Sequence, residues 1–242
     1  MNAIETQRLT KRYGDLTAVD SLDLQIREGE LFSLLGVNGA GKTTTIKMLS
    51  CLSRPTAGDA LILGRSITRE PGEVKKVIAA SPQETAVAPN LTARENLELM
   101  AGIYGFSRAE TGEKIRNLTE LLSLDGCLSK RAGKLSGGWQ RRLSIAMALI
   151  GEPKVLFLDE PTLGLDVIAR GELWDIVRAL KGKITIILTT HYMEEAEALS
   201  DRIAIMKDGK LRLVGTAAEI IEKAGTGKFE EAFVRIVKGE GL

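Results

Sequence analysis

The sequence has little of what marks a membrane-spanning protein, a disulfide-linked protein or a nucleic-acid binder. Its apolar runs are short stretches such as ITIIL, far below the ~20 residues of a spanning helix. Its two cysteines, Cys51 and Cys127, stand far apart without C-x-x-C or zinc spacing, so we predict two buried, reduced thiols. A net charge of +1 gives no reason to expect nucleic acid as a partner. The N-terminus MNAIETQRLTKRYGD is polar and unlike a secretory signal, so we expect a soluble, cytoplasmic chain that reaches a membrane only by docking onto another chain.

The 242 residues, 44% hydrophobic and 27% charged, suit a globular protein with a sizeable core. Apolar runs predict buried strands at LFSLL (31–35), VLFL (155–158) and ITIILTT (184–190). Helical spacing follows the first two runs, through Ile46, Met48, Leu49 and Leu52 and then through Ile168, Leu173, Trp174, Val177 and Leu180. KDGK predicts a hairpin turn after RIAIM, and a last helix is expected at roughly 228–238. Strands that alternate with helices predict an α/β fold with a mainly parallel sheet and a small antiparallel part.

The segment after residue 84 has a different character. Two predicted helices each begin with a capping box, Thr92 with Glu95 and Ser107 with Glu110. A third helix is predicted after Gly138. We therefore expect one domain with a mostly helical insertion at about 84–151, carried by a core at about 1–83 and 152–242.

Residues 36 to 43 have the P-loop pattern, Gly36-x-x-x-x-Gly41-Lys42-Thr43. The glycines allow backbone N–H groups to wrap phosphates, Lys42 reaches the β/γ phosphates, and Thr43 can bind Mg²⁺. The alternative is a glycine-rich turn without a ligand, but the pattern follows a buried strand and opens a helix, as a P-loop does. We therefore predict a phosphate site at Gly36, Asn38, Gly39, Ala40, Gly41, Lys42, Thr43 and Thr44.

Two carboxylates and a histidine follow buried strands. Asp159 and Glu160 end the run VLFLDEP, at the strand end where open α/β sheets bind ligands. Asp159 suits a Mg²⁺ shell, and Glu160 is placed to polarise a water beside the γ-phosphate; the alternative is a helix-capping acidic pair. His191, the one histidine of the chain, follows ITIILTT and is predicted to contact the γ-phosphate, although a lone histidine is more often structural.

Ser136, Gly137 and Gly138 open the amphipathic helix WQRRLSIAMALI. A helix start of this kind presents free backbone N–H groups and partial positive charge, so it can hold an anion. Because the P-loop already supplies a phosphate site, this second one needs a separate explanation.

These motifs together resemble the nucleotide-binding subunit of ATP-binding cassette (ABC) transporters over nearly the whole chain. The matching motifs are GVNGAGKTT, Gln83 in SPQE, LSGGWQRR, VLFLDEP, LGLD and TTH. The resemblance implies that Tyr13 stacks on adenine, Gln83 senses Mg²⁺, Glu160 is the general base and Asp166 communicates across a dimer. Many family members have Gln or Met at the position of Trp139, but the backbone donors of the helix start do not depend on that side chain.

The resemblance also answers the question of the second phosphate site. In the family, two cassettes pair head to tail, and the Ser-Gly-Gly turn of one caps the ATP held by the P-loop of the other. We therefore expect a homodimer that forms on ATP binding, uses ATP and Mg²⁺, and works with separately encoded membrane-spanning permease subunits at the inner face of the cell membrane. The helical insertion is the expected docking surface.

The chain is similar to the export branch of the family, which handles drugs, sodium ions or lipids. The similarity lies in the stretch TTHYMEEAEALSDRIAIMKDGKL, the tail FEEAFVRIVKG and the absence of a regulatory C-terminal domain.

Three other functions fit the sequence less well. A cassette ATPase of DNA repair or translation, not tied to transport, would carry two cassettes, a long coiled-coil insertion or a basic stripe, and none is present. A GTPase would need Asn-Lys-x-Asp to read guanine, and the sequence lacks it. An ATP-sensing scaffold without turnover is disfavoured because Glu160 and His191 are both present.

Overall fold

In the computed structural model, residues 1–239 form two sheets and a set of surrounding helices. The strands are β1 Asn2–Tyr13, β2 Leu16–Leu22, β3 Gln25–Arg27, β4 Leu31–Gly36, β5 Ala57–Ile62, β6 Arg65–Ser66, β7 Ile78–Ser81, β8 Val155–Asp159, β9 Thr185–Thr190, β10 Arg202–Lys207 and β11 Lys210–Gly215. The helices are α1 Lys42–Leu49, α2 Pro71–Lys75, α3 Ala93–Ile103, α4 Arg108–Leu121, α5 Gly137–Leu149, α6 Val167–Leu180, α7 Met193–Leu199, α8 Ala217–Ala224 and α9 Phe229–Lys238, with a 3-10 turn at Ala132–Lys134.

The larger sheet has six strands in the order β11-β10-β4-β9-β8-β7. The pairs from β10 to β7 are parallel, and β11 is added antiparallel through the predicted Asp-Gly hairpin. Every residue of β4, β8 and β9 is buried, which is why these strands read as continuous apolar runs. Parallel pairing brings the carboxyl ends of five strands, β10, β4, β9, β8 and β7, to one edge, where the functional site lies.

The second sheet is antiparallel, in the order β2-β1-β5-β6 with β3 also paired to β1. The predicted α/β fold class is therefore confirmed, and its antiparallel part is a complete five-stranded sheet. Alternation along β8 divides the core: Phe157 packs with the antiparallel sheet and α1, while Leu156 and Leu158 pack with the helices on the other face. A third cluster joins α7, α8 and α9 around Leu35 and Ile205.

Both predicted capping boxes are present. The Thr92 and Ser107 hydroxyls each accept from a backbone N–H three residues on, and the backbone N–H of each of these residues donates to the glutamate carboxylate in return. Helix α5 is buried from residue 141 to residue 149 and shares one hydrophobic cluster with α3, α4, α6 and the sheet. The insertion boundaries stay a prediction, and residues 240–242 of the predicted core lie outside the described part of the chain.

The apolar faces predicted for α1 and α6 each include one residue that the structure places at the surface. Leu52 is 71% exposed because α1 ends at Leu49 and Cys51 turns the chain with φ of 57°. Ile168 is 76% exposed because it lies in the first turn of α6, before that helix reaches the core. Short elements β6, α2 and α7 were missed, as was α8, although its capping box of Thr216 and Glu219 is readable in the sequence.

Both cysteines are free thiols, but the predicted burial holds for Cys127 and not for Cys51. Cys127 is buried and Cys51 is half-buried, and burial raises the pKa of each thiol. Across residues 1–239, no helix is both long and apolar enough to cross a bilayer.

Candidate functional site

A cleft of about 620 Å³ lies at the carboxyl edge of the parallel sheet. It brings together most of the predicted site residues from separate parts of the chain: Tyr13, Asn38, Gly39, Ala40, Gly41, Lys42, Thr43, Thr44, Gln83, Glu160 and His191. Gly36 is the last residue of β4, the strand that leads into the cleft, and Asp159 accepts a hydrogen bond from Thr43, which lines the cleft. The predicted convergence of strand ends is thus what the structure shows.

The loop between β4 and α1 has a backbone that only glycines permit at two positions. A Cβ on Gly36 would lie 2.5 Å from the carbonyl oxygen of Met206, so this residue must be glycine for the loop to rest on β10. Gly41 has φ of 101°, and a Cβ there would meet the Ala18 carbonyl at 2.5 Å. Gly41 is the N-cap of α1 and offers no side-chain acceptor, so the first amides of the helix have no side-chain cap, and the residues that carry them line the cleft.

Lys42 supplies the buried cation of this loop. Its side chain is 6% exposed, and Nζ donates to the Gly36 carbonyl oxygen at 2.7 Å. The same Nζ lies 3.3 Å from Glu160 Oε1. A buried charge needs such partners to be tolerated.

Asp159 and Thr43 provide adjacent oxygens on the opposite side of the loop. Thr43 Oγ1 donates to Asp159 Oδ1 at 3.1 Å, and Thr189 Oγ1 donates to the same carboxyl oxygen. Such a hydroxyl and carboxylate pair suits Mg²⁺, which takes oxygen ligands and keeps waters and substrate phosphates in the remaining positions. No cluster of three or more His, Cys, Asp or Glu side chains suited to a metal occurs in residues 1–239.

Glu160 is held by contacts to both carboxyl oxygens. Oε1 faces Lys42, and His191 Nδ1–H donates to Oε2 at 2.7 Å. Its backbone has φ of 48°, unusual for a residue other than glycine, and its N–H donates to Thr189 Oγ1 at 3.0 Å. Strained backbone that the surroundings stabilise is concentrated at functional sites, which supports a functional role for this carboxylate.

The remaining cleft residues lie at its margins. Tyr13 is 49% exposed at the mouth, with Lys11 Nζ 5.0 Å from its ring centre. Gln83 follows β7 and lines the same cleft as Thr43 and Glu160.

The helix start at Ser136 does not line this cleft. Ser136 is the N-cap of α5, and its side chain makes no capping bond. A Cβ on Gly138 would lie 3.1 Å from Ala169 Cβ, so the helix start packs on the beginning of α6. Asp166 caps α6 by accepting from Ala169 N at 2.9 Å, and it also lies outside the cleft. Trp139, the unusual residue of the motif, is half-buried with the Arg142 guanidinium 4.9 Å from its ring.

Sequence reasoning missed three side chains that support the site. Thr189 bridges Asp159 and the Glu160 backbone, and its place in the run ILTT beside His191 was the available signal. Arg141 and Glu195 are buried charged residues on helices, where a charged residue normally indicates the solvent face.

Glu195 is a buried carboxyl group near the carboxyl edge of the parallel sheet. Trp174 Nε1–H donates to Glu195 Oε1 at 3.1 Å, and the Thr190 and Thr162 hydroxyls face the same carboxyl. Oε2 has no hydrogen-bond partner within residues 1–239. Burial raises the pKa of Glu195, and the nearby Glu160 charge acts in the same direction, although the Thr190 and Thr162 hydroxyls and the Trp174 N–H oppose the shift.

We expect the raised pKa of Glu195 to make folding pH-dependent. Above the ordinary pKa of glutamate, the unfolded chain is ionised while the folded chain keeps the proton, so folding takes up a proton. The free energy of unfolding should fall by up to about 1.4 kcal/mol per pH unit from this group until the folded pKa is passed. Glu195→Gln removes this contribution, which urea unfolding measured from pH 5 to pH 8 would detect. Glu197→Gln, an exposed change on the same helix, is the control; equal slopes in wild type and Glu195→Gln would contradict the prediction.

The fold and cleft define a P-loop nucleotide-binding protein. Residues 19–163 match the family model described as ABC transporter. The chain is 42% identical over 225 residues to the daunorubicin/doxorubicin resistance ATP-binding protein DrrA of Streptomyces peucetius, covering 93% of this chain and 68% of that protein. The chain therefore belongs to the ABC transporter family. Three other curated relatives are much longer, and the chain spans 12% to 22% of their length.

Solved structures agree with this assignment. An ATP-binding subunit of an ABC transporter superimposes with a TM-score of 0.86 at 30% identity, covering 97% of this chain and 99% of that one. The bacterial cassette MJ0796, solved as a dimer, superimposes with a TM-score of 0.79 at 28% identity, covering 88% of this chain and 98% of that one. The chain thus has the fold of ABC transporter ATP-binding subunits.

Proposed function

We propose that this chain binds ATP with Mg²⁺, hydrolyses it, and uses the energy to drive a separate membrane-spanning permease. One observation supports the proposed ATP hydrolysis. Lys42 and His191 both contact the carboxyl group of Glu160 inside the cleft, and Asp159 bonds to Thr43 beside it. A phosphate-binding cation, a candidate base and a candidate metal pair thus share one space, as phosphoryl transfer to water requires.

Each side chain then has a role in the reaction. The loop from Gly36 to Thr44 holds the phosphates through its amides and Lys42. Thr43, Asp159 and Gln83 hold Mg²⁺, which neutralises phosphate charge when bound. Glu160 accepts the proton of the attacking water, and His191 orients that carboxylate and contacts the γ-phosphate. Tyr13 stacks on the adenine at the mouth of the cleft.

The complete site is formed by two chains. Ser136, Gly137 and Gly138 head a helix whose free amides suit an anion, yet they lie outside the cleft of their own chain. Asp166, at the start of the neighbouring α6, is placed to communicate between the copies. The dimeric structure of the related cassette MJ0796 supports dimer formation here.

The surface of α3 is the proposed docking site for the permease. Leu99, Ile103 and Tyr104 are 49%, 69% and 41% exposed at the end of this helix. Exposed apolar side chains that cluster in this way mark interaction sites. Binding there would hold the chain at the inner face of the cell membrane, and the drug-resistance name of the DrrA relative supports export as the direction.

Ile103→Glu should weaken capture of the permease while ATP turnover of the isolated chain stays within about twofold, because interface cores exclude charge. The measurement is copurification with the membrane protein encoded beside this chain. Leu52→Glu is a matched control, since Leu52 is equally exposed but lies three residues after the end of α1. Equal capture of both variants would contradict docking at α3, and a neighbouring gene without a spanning product would favour an ATPase not tied to transport.

A further inference from the structure

Arg141 joins helix α5 to the loop that carries Gln83. Its side chain is 4% exposed overall, and its guanidinium donates to two consecutive backbone carbonyls. Nη1 donates to the Pro82 carbonyl oxygen at 2.7 Å, and Nη2 donates to the Gln83 carbonyl oxygen at 2.5 Å. The planar fork of arginine thus fixes the two peptide groups that flank Gln83.

This use of a buried cation needs a reason, because burial of charge is costly unless the charge is well partnered. No carboxylate lies within 4 Å of the guanidinium in the described part of the chain, so Arg141 makes no ion pair. Burial lowers the pKa of Arg141, and the more distant carboxylates of Asp159 and Glu195 oppose that shift. Arginine nevertheless stays charged in proteins, so the desolvated cation is committed to holding Pro82 and Gln83.

A second contact ties the same two elements together. Ser144, one turn further along α5, shares a buried hydrogen bond of 2.9 Å with Ser81, the last residue of β7. Ser136 is the N-cap of α5, and Arg141 lies within the same regular helix, which rises 1.5 Å per residue. Because the helix is regular between these residues, a displacement of the helix start also moves the Arg141 guanidinium.

We propose that Arg141 is a positioning residue that couples the helix start at Ser136–Gly138 to Gln83 in the cleft of the same chain. The inference rests on the proposed two-chain site and deepens it. When the nucleotide of one chain engages the helix start of its partner, the partner's α5 adjusts the loop at Gln83 through this guanidinium. Nucleotide binding at one of the two shared sites thereby changes the position of Gln83 in the other.

A double-mutant cycle between Arg141→Met and Gln83→Ala tests this coupling. Arg141→Met should lower ATP turnover at least about fivefold, the lower end of ordinary coupling between sites, and should have little further effect once Gln83 is replaced. Ser144→Ala breaks the neighbouring contact but keeps the guanidinium, so it is the matched control and should leave turnover within about twofold.

A second readout does not depend on turnover. In the Glu160→Gln background with ATP and Mg²⁺, hydrogen exchange of residues 83–88 should slow at least about fivefold with Arg141 intact. With Arg141→Met this protection should disappear, while protection of the P-loop amides remains. Arg141→Lys, which keeps the charge without the fork, should behave like Arg141→Met and serves if the methionine variant does not fold.

Independent, multiplicative effects of Arg141→Met and Gln83→Ala would overturn the inference. So would equal loss of loop protection in Ser144→Ala, since that result would assign the contact to general packing. A wild-type chain that does not hydrolyse ATP would instead overturn the proposed function, so the two failures are distinguishable.

Discussion

Glu160→Gln lowers ATP turnover by at least ~10²-fold and leaves ATP binding intact, which is the expected result if this carboxylate is the general base. Glutamine has the same shape and can still accept a hydrogen bond from His191, but it cannot take a proton from water. The P-loop backbone and Thr43 are unchanged, so the phosphates still bind. Steady-state phosphate release and equilibrium binding of a fluorescent ATP analogue measure the two quantities separately.

The structure suggests the control for this variant. Glu197→Gln makes the same chemical change on the exposed face of α7, a short distance along the chain from His191. It should leave turnover within about twofold, as surface changes away from a site do. Near-normal turnover in Glu160→Gln would remove Glu160 as the base, and lost binding would show that its ion pair with Lys42 is needed to shape the loop.

A mixture of two inactive variants, Lys42→Ala and Ser136→Glu, should recover about a quarter of wild-type turnover when dimers form at random. Lys42→Ala removes the cation that the phosphates need, and Ser136→Glu places a negative charge where the helix start would face the partner's triphosphate. In a mixed dimer one site carries both defects and the other carries neither. Half of the dimers are mixed and half of their sites are intact, so a quarter of the sites remain active.

The matched control mixes Lys42→Ala with Glu160→Gln. Both residues lie in the cleft of the same chain, so each site of a mixed dimer lacks one of them and no recovery is expected. Thermal unfolding of each variant is needed first, because removing Lys42 leaves Glu160 Oε1 without its cation. Absence of recovery at every mixing ratio, with folded variants, would show that each chain works alone.

The parts of the site that the sequence predicted share one physical feature, which is that their signals are local. The P-loop has glycines where its backbone needs them, at Gly36 and Gly41, and a buried strand precedes it. Capping boxes such as that of Thr92 are satisfied within four residues. Strand ends meet at one edge whenever strands are parallel, so the convergence of Asp159 and His191 followed from pattern alone.

Other features could be decided only by the tertiary structure, because they join residues that are far apart in the chain. Arg141 holds a loop 58 residues away, and Trp174 bonds to Glu195 across 21 residues. In a single sequence a buried arginine or glutamate is indistinguishable from one on a solvated helix face, since both have the same helical spacing.

By itself, then, the sequence determined the fold class, the phosphate loop and the acids at the strand ends, since each depends on local backbone preference and strand periodicity. The packing of α5 and α6 decided that Ser136 and Asp166 lie outside their own chain's cleft. Only long-range packing sets such directions, because the placement of a helix start depends on the whole core beneath it rather than on the residues that form it.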